Sequence, residues 1–185
     1  MARNKHNQLK LNKMYNNGFY NYLCSNEFSI IYKLVSQNFM DNNTNSVLDI
    51  GCWDGMFYKV LKDQGYSGKY LGFDLSSIAI ESANNTYSNV NTKFVVANWD
   101  DPPYFGTCDS IYFGGVFYYI EDKPNFIERY INKYSPSIIA IQDIQNTDLS
   151  SLDYLGENIT NHLFEIDLDV NEERRKRQVK IIKLK

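Results

Sequence analysis

The sequence predicts an α/β fold: a doubly wound, mostly parallel seven-stranded sheet with a C-terminal antiparallel hairpin and helices on both faces. Short apolar runs of strand length alternate with segments of helical periodicity, which is typical of βαβ units. Near the C-terminus, apolar positions instead alternate strictly with acidic ones. The chain has 185 residues, 43% of them hydrophobic and 22% charged, which favours one globular domain.

Five short apolar runs have the length of buried strands, and helical segments lie between them. The strands are predicted at residues 46–50, 70–73, 93–97, 110–113 and 138–144. The helices are predicted at residues 27–40, 55–64, 77–87 and 122–134. In the last helix Asp122 is the expected N-cap and Pro124 lies in the first turn, while Ser135 and Pro136 end it.

The C-terminal residues have the pattern of a strand with one exposed face. The apolar positions are Phe164, Ile166, Leu168 and Val170, and the acidic positions between them are Glu165, Asp167 and Asp169. A second strand is predicted at residues 179–184, joined to the first by residues 171–178. Together they form an antiparallel hairpin at the end of the sheet.

Composition excludes several classes of protein. The net charge of -3 gives no overall basic field for nucleic acid or acidic lipid, and no apolar stretch approaches the roughly 20 residues of a membrane span. The first eighteen residues contain no apolar core of a signal peptide. Cys24, Cys52 and Cys108 fit neither a disulfide framework nor a zinc site. We therefore expect a reduced, cytoplasmic protein.

The segment VLDIGCWDG, residues 47–55, carries the first chemical signal. An apolar strand runs into Asp49 and Gly51, and a short loop then reaches Gly55 where a helix begins. Glycines allow a ligand to approach the backbone, and a helix N-terminus attracts an anion. A dinucleotide fingerprint would need glycine at the positions of Trp53 and Met56, and a Walker A loop would need G-K-[ST], so both are excluded.

The segment YLGFDLS, residues 70–76, carries the second signal. Asp74 ends the second strand, 23 residues after Gly51 (74 − 51). An acidic residue at this place accepts hydrogen bonds from both hydroxyls of a ribose. The two segments together predict a nucleoside ligand that carries a small anionic group.

These two segments resemble motifs I and II of the class I S-adenosylmethionine-dependent methyltransferases. Residues 96–99 resemble the segment that flanks the adenine, and residues 109–120 resemble the fourth-strand motif beside the acceptor site. The resemblance covers residues 27–185 and implies a Rossmann-like methyltransferase fold in a single domain. Residues 1–26 are then a polar lead-in or a lid.

The resemblance implies that Asp49, Gly51 and Gly55 shape the pocket for the methionine moiety of S-adenosylmethionine. Cys52 and Trp53 belong to the same loop and to the same expected cofactor site. The family commonly has glycine where this chain has Trp53. The loop is therefore bulkier here, and its backbone angles cannot be predicted from the family pattern.

The rest of the implied cofactor site comes from three further strands. Asp74 would hold the ribose, and Leu75 would pack on the adenine. Asn98 and Trp99 would flank the adenine ring, one with hydrogen bonds and the other with a stacking face. Gly114 would let the cofactor lie against the fourth strand.

Acceptor-side residues are expected after the fourth and fifth strands, since ligands bind beyond the carboxyl ends of such sheets. Tyr118 and Tyr119 are the predicted pocket walls, and Asp143 is the other catalytic candidate. Methyl transfer from a sulfonium is an in-line displacement that depends largely on positioning. No carboxylate cluster indicates a metal, and His6 and His162 lie in no recognisable motif.

Three segments have two interpretations each. Residues 101–104 spell DPPY, the hallmark of adenine-amine methyltransferases, but they follow the third strand rather than the fourth, which favours a loop. The basic run at residues 174–177 is either a phosphate-binding patch or a solvated turn whose neighbouring strands carry opposite charges, with Lys180, Lys183 and Lys185 on the second. The early aromatic residues are either a lid over the cofactor or part of a frayed tail; they are Tyr15, Phe19, Tyr20 and Tyr22.

The predicted function is methyl transfer from S-adenosylmethionine to a small-molecule or glycan-type acceptor, with no metal. Two alternatives stay open. One is a nucleic-acid methyltransferase, which the acidic charge makes less favourable, and the other is a non-catalytic S-adenosylmethionine-binding module that acts with a partner. The oligomeric state is not predicted.

Overall fold

A computed structural model describes residues 8–144, 147–167 and 174–185 of the chain. Seven strands form one sheet: β1 (Ser46–Ile50), β2 (Lys69–Asp74), β3 (Thr92–Val96), β4 (Ser110–Gly114), β5 (Ile138–Ile144), β6 (Gly156–Asp167) and β7 (Arg174–Leu184). Their order is β3-β2-β1-β4-β5-β7-β6. The first five strands are parallel, and β7 pairs antiparallel with both β5 and β6. The predicted fold class is confirmed.

Five α-helices surround the sheet in the described residues: α1 (Gln8–Asn16), α2 (Asn26–Asp41), α3 (Met56–Asp63), α4 (Ser77–Tyr87) and α5 (Lys123–Tyr134). Short 3-10 helices lie at Asn21–Cys24, Phe117–Tyr119 and Ser150–Leu155. None of the helices that the structure describes is long and apolar enough to cross a membrane.

Helix ends follow the capping residues of the sequence. The Ser25 side chain accepts a hydrogen bond from the backbone N–H of Phe28 at the start of α2, and Ser76 does the same for Ala79 in α4. Asp122 caps α5 as predicted, since its carboxylate accepts from the backbone N–H of Asn125. A cap of this kind stabilises a helix by about 1 kcal/mol.

Each face of the sheet buries its own hydrophobic cluster. Helices α2, α3 and α4 cover one face, where Phe28, Phe57 and Tyr112 belong to the same cluster. Helix α5 covers the other face and packs Phe126 and Tyr130 against strand residues. Alternation along each strand therefore sends successive side chains into different cores.

The C-terminal hairpin is longer than predicted. Strand β6 begins at Gly156, eight residues before Phe164, the first apolar position of the predicted strand. Strand β7 already includes residues 174–178, which we expected to be part of the turn. Leu168, Asp169 and Val170, and the first part of the predicted turn, lie outside the described residues.

The hairpin register corrects the expected charge pairing. Glu165 lies opposite Lys176, and their side chains form an ion pair at 2.9 Å. The basic run is therefore part of strand β7 rather than a solvated turn. Lys176 of this run, and none of the later lysines, is the residue that pairs with Glu165. Lys180 is buried and instead donates to the backbone carbonyl of Leu149 at 2.9 Å and to Asp153.

Candidate functional site

A cavity of about 290 Å³ lies beyond the carboxyl ends of the central strands. Strand β1 has β2 on one side and β4 on the other, so the chain changes direction across the sheet there. Parallel sheets place their ligands at such a switch point. Residues from β1, β2, β4, β5 and β7 line the cavity, together with residues 11–23 and α2. Ten of the thirteen predicted site residues belong to this lining, with Leu75 and Gly114 among them.

The loop after β1 is held in a conformation that requires a glycine at its start. Gly51 has φ +78°, and a side-chain carbon there would lie 2.7 Å from the carbonyl oxygen of Gly114. Two adjacent backbone N–H groups, of Gly51 and Cys52, donate to the carbonyl of Phe73 at 3.0 and 3.1 Å. The loop is therefore fastened to the end of β2.

Trp53 also adopts a left-handed backbone, with φ +51°, which explains why glycine suits this position. A non-glycine residue in this region carries a conformational cost of about 1–2 kcal/mol. The side chain is buried, with 8% exposure, and lines the cavity. Its ring packs against Tyr15 and Tyr20, with centroid distances of 5.2 and 4.5 Å.

Asp74 links the loop after β1 to the start of α4. Its carboxylate accepts the backbone N–H of Ser76 at 2.8 Å and that of Trp53 at 3.3 Å. Burial raises the pKa of this carboxyl to about 6, although the two N–H donors act in the opposite direction. Asp74, predicted to hold the ribose, and Leu75, predicted to pack on the adenine, both line the cavity.

Asp49 is a fully buried acid whose second oxygen has no partner. Its Oδ2 accepts the hydroxyl of Tyr70, while Oδ1 has no hydrogen bond among the described residues. Burial raises the pKa of Asp49 to about 7. Since Asp49 contributes to the cavity lining, its free oxygen is available to a ligand that carries N–H groups.

An aromatic wall closes the cavity beside β4. The ring of Trp99 stacks on that of Tyr119, with centroids 5.8 Å apart and planes 13° apart, and Tyr118 donates its hydroxyl proton to Tyr119. All three line the cavity. Burial raises the pKa of Tyr118 well above its usual value, so its hydroxyl is neutral and not a base at neutral pH.

Three predicted site residues lie outside the cavity lining. Gly55 serves the turn before α3, where it has φ +87° and lies against Phe94. Asn98 is exposed, and its Oδ1 accepts the backbone N–H of Asp100. Asp143, predicted to be an acceptor-side catalytic residue, is buried. It lies outside the cavity lining because alternation along β5 turns its side chain to the opposite face of the sheet from Gln142.

The hydrogen bonds of Asp143 indicate a structural role in positioning the backbone. Its two oxygens accept the backbone N–H groups of Tyr118 at 2.9 Å and of Ile144 at 2.7 Å. Burial raises its pKa to about 6. Asp143 therefore positions the backbone beneath the tyrosine wall.

The early aromatic residues contact the cavity. Phe19, Tyr20 and Tyr22 line it. In α1, Asn12 donates to the Ser77 hydroxyl at 3.0 Å and accepts the Ser76 hydroxyl at 3.0 Å. This segment is thus tied to the N-terminus of α4, directly after Asp74.

Sequence reasoning missed three polar residues of the cavity: Tyr112 on β4, beside Asp49 of β1, Gln142 on β5 and Arg177 on β7. All three are buried and line the cavity. Arg177 was concealed in a basic run, although its period-two spacing with Val179 and Ile181, both buried, indicates a side chain that points inward.

Other candidate segments lie elsewhere. Residues 101–104 lie between β3 and β4, with Tyr104 90% exposed and the carbonyl of Pro103 accepting the hydroxyl of Tyr134 in α5. His162 is exposed and contacts Phe164, while His6 is outside the described residues. Within the described ranges, no group of three His, Cys, Asp or Glu side chains is arranged to hold a metal ion.

A model of the methyltransferase-domain family matches residues 23–175, most of the chain. The chain belongs to this family. It is a class I S-adenosylmethionine-dependent methyltransferase, and S-adenosylmethionine is its cofactor. None of the curated proteins matches the sequence.

Solved structures of methyltransferases share the fold at low sequence identity. The N-methyltransferase NodS from Bradyrhizobium japonicum, crystallised with S-adenosylhomocysteine, has a TM-score of 0.67 at 15% identity, over 88% of this chain and 90% of NodS. The plantazolicin methyltransferase BpumL, also with S-adenosylhomocysteine, has a TM-score of 0.65 at 15% identity, over 94% of this chain and 90% of BpumL. A candidate RNA methyltransferase from Pyrococcus horikoshii has a TM-score of 0.66 at 8% identity, over 84% of this chain and 81% of that protein.

Proposed function

We propose that this methyltransferase acts on a small-molecule acceptor held in the cavity between the strand ends and residues 11–23. The observation that carries the proposal is the lining, which is rich in aromatic residues and includes a single basic side chain, Arg177, among the described residues. A phosphate backbone needs several Lys or Arg contacts. A net charge of -3 also disfavours a nucleic acid. A cytoplasmic location belongs to the same proposal, and the three cysteines are free.

The acidic residues at the β1–β2 end of the cavity fit the cofactor. The partnerless Oδ1 of Asp49 would accept from the ammonium group of the methionine moiety. Asp74 would accept from the ribose hydroxyls, and Leu75 and Trp99 would flank the adenine. The close approach of Gly51 to Gly114 keeps the floor free of side chains.

When bound, the cofactor supplies an electrophilic methyl group on a sulfonium. The chain then has to orient the acceptor and exclude water, and positioning of this kind can contribute about 7–11 kcal/mol to a two-reactant step. Tyr118 and Tyr119 would form the acceptor wall, fixed from behind by Asp143. Residues 8–24 would close the cavity as a lid, since Tyr20 packs on Trp53 at 4.5 Å.

Methyl transfer from labelled S-adenosylmethionine into a host extract tests the proposal. After incubation, the small-molecule and nucleic-acid fractions are separated, and the label in each is counted. We expect label in the small-molecule fraction only. Label confined to RNA or DNA, together with nucleic-acid binding that weakens steeply with salt, would show that the acceptor class is wrong.

A further inference from the structure

The cavity has a second polar end that the cofactor assignment does not use. Strand β7 is the third strand from β1, across β4 and β5, a separation of three strand spacings or about 14 Å. Arg177 lies on β7 opposite Ile144, the last residue of β5. Its side chain is only 4% exposed and lines the cavity. A buried cation therefore lies far from the loop after β1.

Arg177 has aromatic neighbours but no ion-pair partner in the described part of the chain. Its Nη2 donates to the hydroxyl of Tyr22 at 3.0 Å, and its Nε has no hydrogen-bond acceptor. The guanidinium carbon lies 5.6 and 5.9 Å from the ring centroids of Tyr22 and Phe28. Asp143 contributes only a distant charge, because both its oxygens are occupied by backbone N–H groups. A buried charge without a partner is unfavourable.

Two more donors on the same face of the sheet are also unused. The side-chain Nε2 of Gln142 and the hydroxyl of Tyr112 are buried and have no hydrogen-bond partner. Gln142 is two residues before Ile144 on β5, and Tyr112 lies on β4, the next strand. Buried polar groups are normally satisfied. Tyr112 lies directly beside Asp49 of β1, so it belongs to the cofactor end of the cavity. Gln142 and Arg177 are therefore the two donors at the β7 end that have unused N–H groups among the described residues, and they suit a ligand with several acceptor oxygens.

We propose that Arg177 and Gln142 bind a carboxylate carried by the acceptor. This inference rests on the proposed function and names its substrate class. Guanidinium groups match the planar geometry of a carboxylate. A single positive charge suits a singly charged carboxylate better than a doubly charged phosphate. The rings of Tyr22, Phe28 and Tyr118 line the intervening space, so the acceptor is a small carboxylic acid with a flat, apolar body.

The methionine moiety of the cofactor also carries a carboxylate, and position distinguishes the two sources. The acids that fit the cofactor, Asp49 and Asp74, lie on β1 and β2, whereas Arg177 lies on the opposite side of β4. The carboxylate at Arg177 therefore belongs to the second substrate, and loss of Arg177 leaves cofactor affinity intact.

Calorimetric titration of the protein loaded with S-adenosylhomocysteine tests the subsite, with benzoate and benzamide as probes. These compounds share a ring and differ in charge. We expect benzoate to bind at least about tenfold more tightly than benzamide, because a charge-assisted hydrogen bond is worth more than a neutral one. Arg177→Met should abolish the preference while S-adenosylhomocysteine affinity changes less than about twofold.

Two further variants make the test decisive. Lys176→Gln removes the neighbouring positive charge, which pairs with Glu165 at the surface, and should keep the preference. Gln142→Met removes one donor without removing the charge and should reduce the preference, so it serves if Arg177→Met fails to fold.

Three results would overturn the inference: equal binding of benzoate and benzamide to the wild type, a preference that survives in Arg177→Met, or a loss of S-adenosylhomocysteine affinity in that variant. The last result would assign the subsite to the carboxylate of the cofactor. Failure of the proposed function looks different, since it appears as label in nucleic acid rather than in small molecules.

Discussion

At the scale of single residues, three buried aspartates determine how the molecule responds to pH. Burial raises the pKa of Asp49 to about 7 and those of Asp74 and Asp143 to about 6, from an ordinary value of 3.8. Each carboxyl holds its proton in the folded protein at pH values where the unfolded chain has lost it. Folding is therefore favoured at lower pH within this window.

We predict that the free energy of unfolding of the cofactor-free protein falls as pH rises from about 4 to 7. The slope approaches 1.4 kcal/mol per pH unit for each extra proton that the folded state binds. Asp148 and Asp153 have lowered pKa values, so their effect lies below about pH 4. Denaturant unfolding of the wild type and of Asp49→Asn at several pH values measures this dependence. The free energy of unfolding of the variant should fall less steeply with pH. An unchanged slope would contradict the pKa assigned to Asp49.

Asp143 accepts two backbone N–H groups, of Tyr118 and Ile144, and a second prediction concerns their loss. Asp143→Asn leaves one acceptor oxygen for two buried N–H groups, so we expect the free energy of unfolding to fall by about 1–3 kcal/mol. The backbone of Tyr118 should shift, and the fluorescence of Trp99, stacked on Tyr119, should change when measured in a Trp53→Phe background.

Affinity for S-adenosylhomocysteine should be nearly unchanged in this variant, because Asp143 lies outside the cavity lining. Asp63→Asn is the matched control, since Asp63 is an exposed acid paired only with Lys59. Unaltered Trp99 fluorescence in Asp143→Asn would show that Asp143 does not position the wall.

Residue-scale sequence reasoning located part of the site and missed another part. Asp49, Gly51 and Asp74 were found because strand ends with acids and glycines leave a local pattern. Asn98 was assigned by its place beside Trp99, but a turn at Asp100 uses its side chain. Arg177 was missed because the basic run suggested a turn, so its period-two spacing with Val179 and Ile181 had no meaning until β7 was paired with β5.

At the scale of elements, α1 and the 3-10 helix at Asn21–Cys24 contribute to the cavity lining, and we propose that they determine access to the cavity. The side-chain amide of Asn12 donates from Nδ2 to the Ser77 hydroxyl and accepts the Ser76 hydroxyl at Oδ1. This contact joins the segment to the start of α4. Opening of the segment must break it.

We predict that Asn12→Ala loosens residues 8–24. Loss of two hydrogen bonds should lower the local opening free energy by about 1–3 kcal/mol, which raises amide hydrogen exchange in this segment roughly tenfold or more. S-adenosylhomocysteine should also dissociate faster. Asn16→Ala, at an exposed position of the same helix, is the control. Equal exchange in both variants would mean that Asn12 does not fasten the segment.

The buried strands were easier to predict from the sequence than the strands of the hairpin, for a physical reason. The strands buried on both faces, such as β1 and β5, appear as continuous apolar runs, and their predicted bounds agree with the structure. The hairpin strands are partly exposed. The start of β6 at Gly156–Thr160 is mostly polar, and β7 begins with four basic residues. Neither of these two segments has the pattern of a strand, and only their pairing with each other and with the rest of the sheet makes them strands.

At the scale of the whole molecule, the sheet order brings the acids of β1 and β2 to one end of the cavity and the base of β7 to the other. The two ends are separated because β4 and β5 lie between β1 and β7 in the sheet. A cofactor with an ammonium group and an acceptor with a carboxylate are thus assigned to opposite ends. We propose that the acidic end is the cofactor site.

Calorimetric titration with S-adenosylhomocysteine tests this claim most directly, in the wild type, Asp74→Asn and the surface control Asp63→Asn. We predict one site per chain in the wild type and in the control. Asp74→Asn should bind at least about tenfold more weakly, because a hydrogen bond to a charged group contributes about 1.5–3 kcal/mol. Absence of binding in the wild type, or equal affinity in all three proteins, would contradict the account.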